Sequence, residues 1–484
     1  LILKEPETLS KNLYIKTYGC QMNVYDSDRM VDVMRPFGYA ISDDLQSADL
    51  ILINTCHIRE KATDKLYSEL GRIRELKKRR AERDEVVLVG VTGCVSQAEG
   101  GEIQNRMPFV DIVVGPQSYH MLPELVTKAL RKGGESIELD FNPEEKFDKL
   151  IPHEVTGNTA LEPSNAKLSE FLTVQEGCDK FCTFCVVPYT RGAEYSRPPE
   201  QIIREAIGYV NRGTREIYLL GQNVNAYHGV DGRGKVWSLA RMIEKLAEIK
   251  GLERIRYTTS HPRDMQDDLI EAHRDIPKLM PYLHLPIQSG SDNILKQMNR
   301  KHTAAEYLKL LDKIRAARPD IAFSSDFIVG FPGESEQDFA DTLRIVSEVG
   351  YASSYSFKYS PRPGTPAAVM GQQVEDEIAS ERLERLQSAL SEQHLKFNHS
   401  FMGKELDVMI DFSAQKPASL RKGQLSGKSP WLQTVNVNLA PSLLGGGLGR
   451  GLTTTPQSSE QFIKVRINET NDFSLVGEVV CSYV

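Results

Sequence analysis

Read for the spacing of its apolar positions, the chain changes character twice. From about 10 to 150, short β-branched apolar runs alternate with longer stretches of helical period. LYIKTYG (13–19), DLILINT (49–55) and VVLVGVTG (86–93) predict buried strands, each bounded by turn residues. REKATDKLYSELGRIRELKKRR (59–80) predicts a helix. Its basic end, Lys77 to Arg80, reads as a solvated terminus favoured by the helix dipole. Strand–helix alternation of this kind predicts a parallel sheet. Residues 141–168 are polar, hold three prolines and show no clear period, which predicts a linker.

The second part, about 165–400, repeats the alternation six times. Its predicted strands are FLTVQE (171–176), EIYLLG (216–221), RIRYTT (254–259), YLHLPI (282–287), FSSDFIVG (323–330) and YSFKYS (355–360). Six such units suggest an open, partial (β/α)6 barrel, which a helix over 375–397 closes. In the third part, 401–484, the helical period is gone. KELDVMID, QTVNVNL, QFIKVRI and SLVGEVVCSYV predict a small β-barrel, with a Gly/Ser/Thr-rich loop at 439–460. The expected fold class is α/β: a parallel-sheet domain, a partial barrel and a small β-barrel.

Composition changes this picture little. Hydrophobic residues are 40% and charged residues 26% of 484, an ordinary globular balance. The net charge of −7 excludes a basic coat over the whole surface. It is unevenly spread: 401–484 carries +1 and the remainder −8, a weak pointer to RNA at the C-terminal barrel. No apolar run approaches the ~18 residues of a membrane span. The opening LILKEPETLS has no export signal, so a cytoplasmic location is expected. In a reducing compartment, cysteines serve as metal ligands or catalytic thiols more often than as disulfides.

Seven cysteines are the candidate chemistry. Cys178, Cys182 and Cys185 form a C-x3-C-x2-C run directly after a predicted strand. Such a loop can converge on one face of a 4Fe–4S cube, leaving one iron without a protein ligand. The bland alternative is three buried cysteines in a strand–helix turn. Cys20, Cys56 and Cys94 are 36 and 38 residues apart, about one βα unit each, and each lies just past a predicted strand. In a parallel sheet those ends share one edge, so the three thiols should meet. They are either a metal site or three separately buried small hydrophobes. Cys481, in the last predicted strand, has no partner.

The C-x3-C-x2-C run, with Phe184 before its last cysteine, resembles the radical S-adenosylmethionine enzymes. More closely, YGCQMN (18–23), NTCHIREKA (54–62), TGCVSQ (92–97), EGCDKFCTFCVVPYTRGAEYSRP (176–198), LLGQNVNAY (219–227), TSHP (259–262), HLPIQSGSD (284–292), MNRKHT (298–303), DFIVGFPGE (326–334) and YSPRPGTPA (359–367) resemble the methylthiotransferase family, nearest its MiaB type. GQLSGKSPWLQTV (423–435) resembles the TRAM domain, an RNA-binding barrel. The resemblance implies two 4Fe–4S clusters, on Cys178/Cys182/Cys185 and on Cys20/Cys56/Cys94. It implies conversion of N6-isopentenyladenosine at position 37 of tRNA to its 2-methylthio derivative, with two S-adenosylmethionine molecules per turnover. One would methylate a sulfur carried by the N-terminal cluster. The other would give the radical that takes the adenine C2 hydrogen. A positioned base, worth typically 10²–10⁴-fold, is too small a lever for that bond.

The same resemblance implies tRNA, a reducing electron donor and a sulfur source as partners; the lack of a long apolar run leads to an expectation of no membrane, and a monomer is expected. By the superfamily pattern, Gly221, Gln222 and Asn223 would support the methionine amino group. Gln288, Ser289, Asp326 and Ile328 would line the ribose and adenine pocket. Lys404, Arg421, Lys422 and Lys428 are candidate RNA backbone contacts. His261 and His284 read as hydrogen-bonded structure. Arg191, in YTRG, suits a phosphate or an internal carboxylate equally. The rival readings are a sister enzyme acting on threonylcarbamoyladenosine or a ribosomal-protein aspartate, and a non-catalytic RNA-binding Fe–S protein.

Overall fold

The computed structural model describes residues 11–57, 60–132, 136–140, 142–149, 167–411, 423–438 and 461–482. The N-terminal domain is built on six strands: β1 (Lys11–Tyr18), β2 (Tyr39–Ile41), β3 (Leu50–Thr55), β4 (Leu88–Gly93), β5 (Ile112–Val114) and β6 (Ser136–Glu138). They form one sheet in the order β2-β1-β3-β4-β5-β6, and every ladder is parallel. β3 and β4 are buried at all positions, because helices cover both faces of the sheet. That is why LILINT and LVGVTG show no alternation of apolar and polar positions; their polar residues Asn54, Thr55 and Thr92 are buried too. Leu50 and Leu52 face Met30, Met34 and Leu125, while Ile51 and Ile53 face Leu66, Leu70 and Ile73 of the helix Glu60–Ala81. Strand order reverses between β1 and β3, and their carboxyl ends open onto the crevice where such sheets bind ligands.

The expected linker needs correction. Pro143–Lys149 is a helix with Lys146 and Phe147 buried. Its two inward positions include a lysine, so the segment carries no apolar period to read. Lys146 tolerates burial because its Nζ lies 2.6 Å from Glu176 Oε1. Residues 150–166 lie outside the described residues.

The central part holds β7 (Ser169–Thr173), β8 (Gln175–Glu176), β9 (Tyr195–Ser196), β10 (Glu216–Leu220), β11 (Arg254–Tyr257), β12 (Tyr282–His284), β13 (Ala322–Val329) and β14 (Ser353–Lys358). The sheets β7-β10-β11 and β12-β13-β14 are parallel throughout, and a parallel bridge from Ile255 to Leu279 joins them. Six parallel strands therefore curve into a partial barrel, as expected. The predicted strand 171–176 is broken at Val174. Its last two residues form β8, which pairs antiparallel with β9 and carries the chain to Cys178. Helix Asp376–His399 packs against β13 and β14.

The third part is a closed barrel of β15 (Glu405–Ile410), β16 (Gln424–Lys428), β17 (Thr434–Asn438), β18 (Phe462–Thr470) and β19 (Ser474–Ser482), in the order β15-β16-β17-β19-β18. β16 escaped the pattern because Leu425 is its sole large apolar residue. Two arginines of β11 dock this barrel. Arg254 donates to the main-chain oxygens of Asp407 and Lys428, and Arg256 to those of Ser429 and Pro430.

A second buried contact ties the N-terminal helix Gln21–Met34 to the partial barrel. Glu205 takes Arg197 Nη2 at 2.8 Å and the Tyr25 hydroxyl at 3.2 Å, with Arg29 at 3.6 Å. Burial alone would push the Glu205 carboxyl up; the guanidiniums of Arg197 and Arg29 outweigh it and hold it below its ordinary value. Its stabilisation is therefore whole above the ordinary carboxylate range and is lost as pH falls through the lower, folded value. Glu205→Gln leaves Arg197 buried without its carboxylate and is expected to cost about 3–5 kcal/mol. Thermal midpoints against pH check this: the variant should melt lower near neutrality and lose part of the acid sensitivity.

Candidate active site

The six grouped cysteines lie in two regions of the fold. Cys20, Cys56 and Cys94 follow β1, β3 and β4, three neighbouring strands of one sheet. Cys20 caps the helix Gln21–Met34, and Cys94 opens the helix Cys94–Glu99. The Cys20 Sγ and backbone N–H both reach Asn23 Oδ1, at 3.2 and 3.3 Å. Asn23 is fixed in turn by Asn54, whose Nδ2 donates to the Asn23 carbonyl at 2.8 Å. Cys56 N–H donates to Tyr18 O, which ties the end of β3 to the end of β1. The turn at Gly19 needs glycine: its φ is +129°, and a Cβ there would lie 2.3 Å from Cys56 Cβ.

The electrostatics of these thiols bind them into one site. A hydrogen bond from Cys56 pulls the Cys20 thiol down to about 6 against the effect of burial, and the Arg191 charge adds to it. Burial pushes Cys94 up, opposed by Arg191, while the Cys20 charge raises it further. Thr55 Oγ1, beside Cys56, and Ser96 Oγ, two residues after Cys94, are buried without a hydrogen-bond partner among the described residues.

The second triad occupies the loop after β8. Gly177, with φ +75°, brings the chain so close to Ala193 that a Cβ would lie 1.9 Å from its carbonyl oxygen. Gly177 N–H donates to Gln222 Oε1 at 2.6 Å, and the N–H groups of Gln222 and Asn223 donate to Gln175 Oε1. Thus the end of β10 holds the start of the cysteine loop. Its middle is held by Asn299, which donates to Lys180 O and Phe181 O, and by Lys180, 2.8 Å from Asp264. Burial pushes Cys178 up to about 11, and burial with the Cys182 charge pushes Cys185 up to about 12. Three thiols so placed repel one another as thiolates. Coordinated cations would remove that penalty, since a ligating thiol loses its proton outright.

Both donor sets fit a thiolate-ligated cluster. All six cysteines are free of disulfides. Among the described residues no His, Cys, Asp or Glu group converges as on a single metal ion. A four-iron cluster spreads its thiolates over separate irons and does not require that convergence.

The other expected residues are distributed unevenly. Gly221, Gln222 and Asn223 stand at the barrel mouth, with Asn223 Nδ2 on Asp264 at 2.8 Å and Asn223 Oδ1 buried without a hydrogen-bond partner among the described residues. Gln288 sits there in the left-handed region at φ 78°, as do Phe181 and Thr259, a cluster of backbone strain typical of functional sites. Ser289 is fully buried, with its hydroxyl 3.3 Å from Thr342 Oγ1, and faces the core. Asp326 lies 3.5 Å from His284 Nε2, and Ile328 packs near Ile294 and Phe331. His261 accepts from Arg263 N–H, and burial pushes its pKa far down, so it is neutral. Lys404 lies over the Phe401 ring, and Lys428 Nζ donates to Thr434. Arg421 and Lys422 lie outside the described residues.

Arg191 resolves the ambiguity left by the sequence. It meets internal carboxylates: Asp26 at 2.7 Å and Glu176 at 3.2 Å, with its Nε 3.4 Å from Cys94 Sγ. Glu176 immediately precedes the Gly177–Cys178 turn, so one side chain touches the edges of both triads. Lys146 completes the knot at Glu176 and Asp26. Sequence reading missed Asp26, Glu176 and Lys146; a fully buried lysine leaves no signal in a polar run.

Residues 172–346 match the Radical SAM superfamily, and residues 12–115 match the uncharacterized protein family UPF0004. A tRNA-2-methylthio-N(6)-dimethylallyladenosine synthase from Agrobacterium fabrum is 53% identical over 473 residues, 98% of each chain. Among solved structures, the radical S-adenosylmethionine methyltransferase TsrM from Kitasatospora setae superposes with a TM-score of 0.55 at 12% identity, covering 74% of this chain and 75% of its own. The cobalamin-dependent S-adenosylmethionine radical enzyme OxsB gives 0.51 at 13%, covering 79% and 56%. These two likenesses concern the fold. The near-full-length identity concerns the family: the chain belongs to the MiaB-type methylthiotransferases of the radical S-adenosylmethionine superfamily.

Proposed function

We propose that this chain converts N6-isopentenyladenosine at position 37 of tRNA to its 2-methylthio derivative. It would hold one 4Fe–4S cluster on Cys178, Cys182 and Cys185 and a second on Cys20, Cys56 and Cys94. The observation that supports this reading is the placement of one cysteine triad after the neighbouring strands β1, β3 and β4 and of another in the loop after β8, with Arg191 in contact with Cys94 and Glu176. When bound, the clusters and S-adenosylmethionine supply the electron, the methyl group, the radical and the carried sulfur that replace a C2–H bond by C2–SCH3.

The chain's own part is to place and shield. Gln222 anchors the Cys178 turn, and the Lys180–Asp264–Asn223 chain fixes the loop beside it. Asn223 Oδ1, unpartnered, is free to accept from a ligand ammonium. Neutral His261 adds no charge at the mouth. Met22 and Tyr25 pack with Leu220 beside Cys20 and close the N-terminal crevice onto the barrel. The C-terminal barrel, with Lys404 and Lys428 and the segment containing Arg421 and Lys422, would contact the RNA backbone. That predicts affinity that falls with salt. Work in the cytoplasm as a monomer, with separate electron and sulfur donors, completes the reading.

An electron-transfer protein would want four cysteines per cluster. Seven in the chain cannot supply two such sets. Cys481 belongs to β19, in the third domain, and Cys481→Ser is expected to leave iron content unchanged at about eight per chain. Iron assay after anaerobic reconstitution checks that.

The function is tested by nucleoside mass spectrometry of tRNA from a deletion strain complemented with this gene. Restored 2-methylthio-isopentenyladenosine is expected. Accumulated isopentenyladenosine, or methylthio groups on threonylcarbamoyladenosine instead, rejects the substrate.

A further inference from the structure

Two buried arginines each aim a nitrogen at one sulfur of a triad. Arg191 Nε lies 3.4 Å from Cys94 Sγ, and Arg300 Nη1 lies 3.6 Å from Cys182 Sγ. Both side chains are almost dry, at 2% and 5% exposure. They arrive from different places. Arg191 follows the helix Val187–Thr190 and reaches back to the N-terminal domain. Arg300 follows the helix Asp292–Gln297 and approaches the barrel triad, with Nη2 donating to Pro286 O.

Charge pairing alone does not account for this aim. The two carboxylates at Arg191 engage Nη1 and Nη2, and the third nitrogen turns to sulfur. Among the described residues Arg300 has no carboxylate hydrogen-bond partner, and its Nε has no hydrogen-bond partner. An N–H donated to a ligating sulfur draws electron density from it, and a nearby guanidinium favours the more negative of two oxidation states. Both effects make a cluster easier to reduce.

We propose that Arg191 and Arg300 are positioning residues that set the reduction potentials of the two clusters, one each, through Cys94 and Cys182. The inference rests on the proposed assignment of a cluster to each triad. The redox step is a one-electron reduction of the cluster, with no proton transferred, and dithionite supplies the electron in the test.

The experiment is an anaerobic redox titration of full-length reconstituted protein, read by electron paramagnetic resonance. The unsubstituted chain is compared with Arg191→Lys, Arg191→Gln and Arg300→Lys, and iron is counted in each. Chains with one triad changed to alanine assign the two signals. Arg191→Lys should lower the reduced-to-oxidised ratio of the N-terminal cluster about tenfold at a fixed potential and leave the barrel cluster alone. Arg300→Lys should do the converse, and Arg191→Gln should act in the same direction as Arg191→Lys and further.

Full iron with unchanged potentials overturns the proposal. So do equal shifts of both clusters in either variant, which would mark general loosening, and loss of iron at the substituted site in both Arg191 variants. An unsubstituted chain holding a single cluster overturns the two-cluster reading and, with it, the Arg191 half. The iron count separates that failure from the others.

Discussion

A chain with alanine at Cys178, Cys182 and Cys185 together is expected to reconstitute with about four irons instead of about eight, and to form no methylthio product. The loss should be confined to chemistry. The loop is held by backbone and by other side chains: Cys185 N–H on Cys182 O, Thr183 N–H on Met298 O and Asn299 on Lys180 O and Phe181 O. None of these needs a sulfur atom. Removing the thiols also removes Cys178 and Cys185, whose pKa values burial first, and the Cys182 charge second, push up in the metal-free chain. Thermal stability of the metal-free protein should therefore change little. Iron per chain, 5′-deoxyadenosine release and nucleoside analysis read the three consequences. Iron falling to none would mean that the N-terminal cluster depends on the barrel cluster, and the two-site picture would fail.

Gly19→Ala should produce the opposite separation. At φ +129° a side chain is strained, at about 1–3 kcal/mol, and overpacking against Cys56 Cβ adds a comparable cost. The obstructed atoms are the Cys56 Cβ and backbone N–H and the Asn23 side chain, which hold the strand ends together. The N-terminal triad should open while β7 to β14 remain folded. Such a chain is expected to retain about four irons. It should still cleave S-adenosylmethionine reductively, yet leave isopentenyladenosine unchanged. Methylthio product from a chain with no iron at Cys20, Cys56 and Cys94 would reject the role given to that site.

How much of this was legible in the sequence depended on where the information lay. β3 and β4 announced themselves because both faces are covered and every position is apolar or small. The scattered triad could be read because each cysteine directly follows a strand, and the sheet order places β1, β3 and β4 side by side. The order itself was not legible, nor were β2, β5 and β6, which have three residues each and too little length for a period. The helix Pro143–Lys149 was hidden because its buried lysine mimics a solvated one. For Ser289 the sequence weighed pocket lining evenly against barrel packing, and its contact with Thr342, 53 residues on, was not legible. The arginine–sulfur contacts span 97 and 118 residues, and only the folded chain brings them together.

The docking of the C-terminal barrel has an evolutionary consequence. Arg254 and Arg256 grip carbonyl oxygens of the main chain, which any residue can present. The exposed side chains at Asp407 and Lys428 can therefore change without loosening the joint, whereas the buried Ser429 hydroxyl accepts from the N–H groups of Trp431 and Gln433 and keeps the turn in place. What must be kept is the path of the backbone and two arginines on a strand of the neighbouring domain. The barrel is thus a replaceable module on a fixed mount.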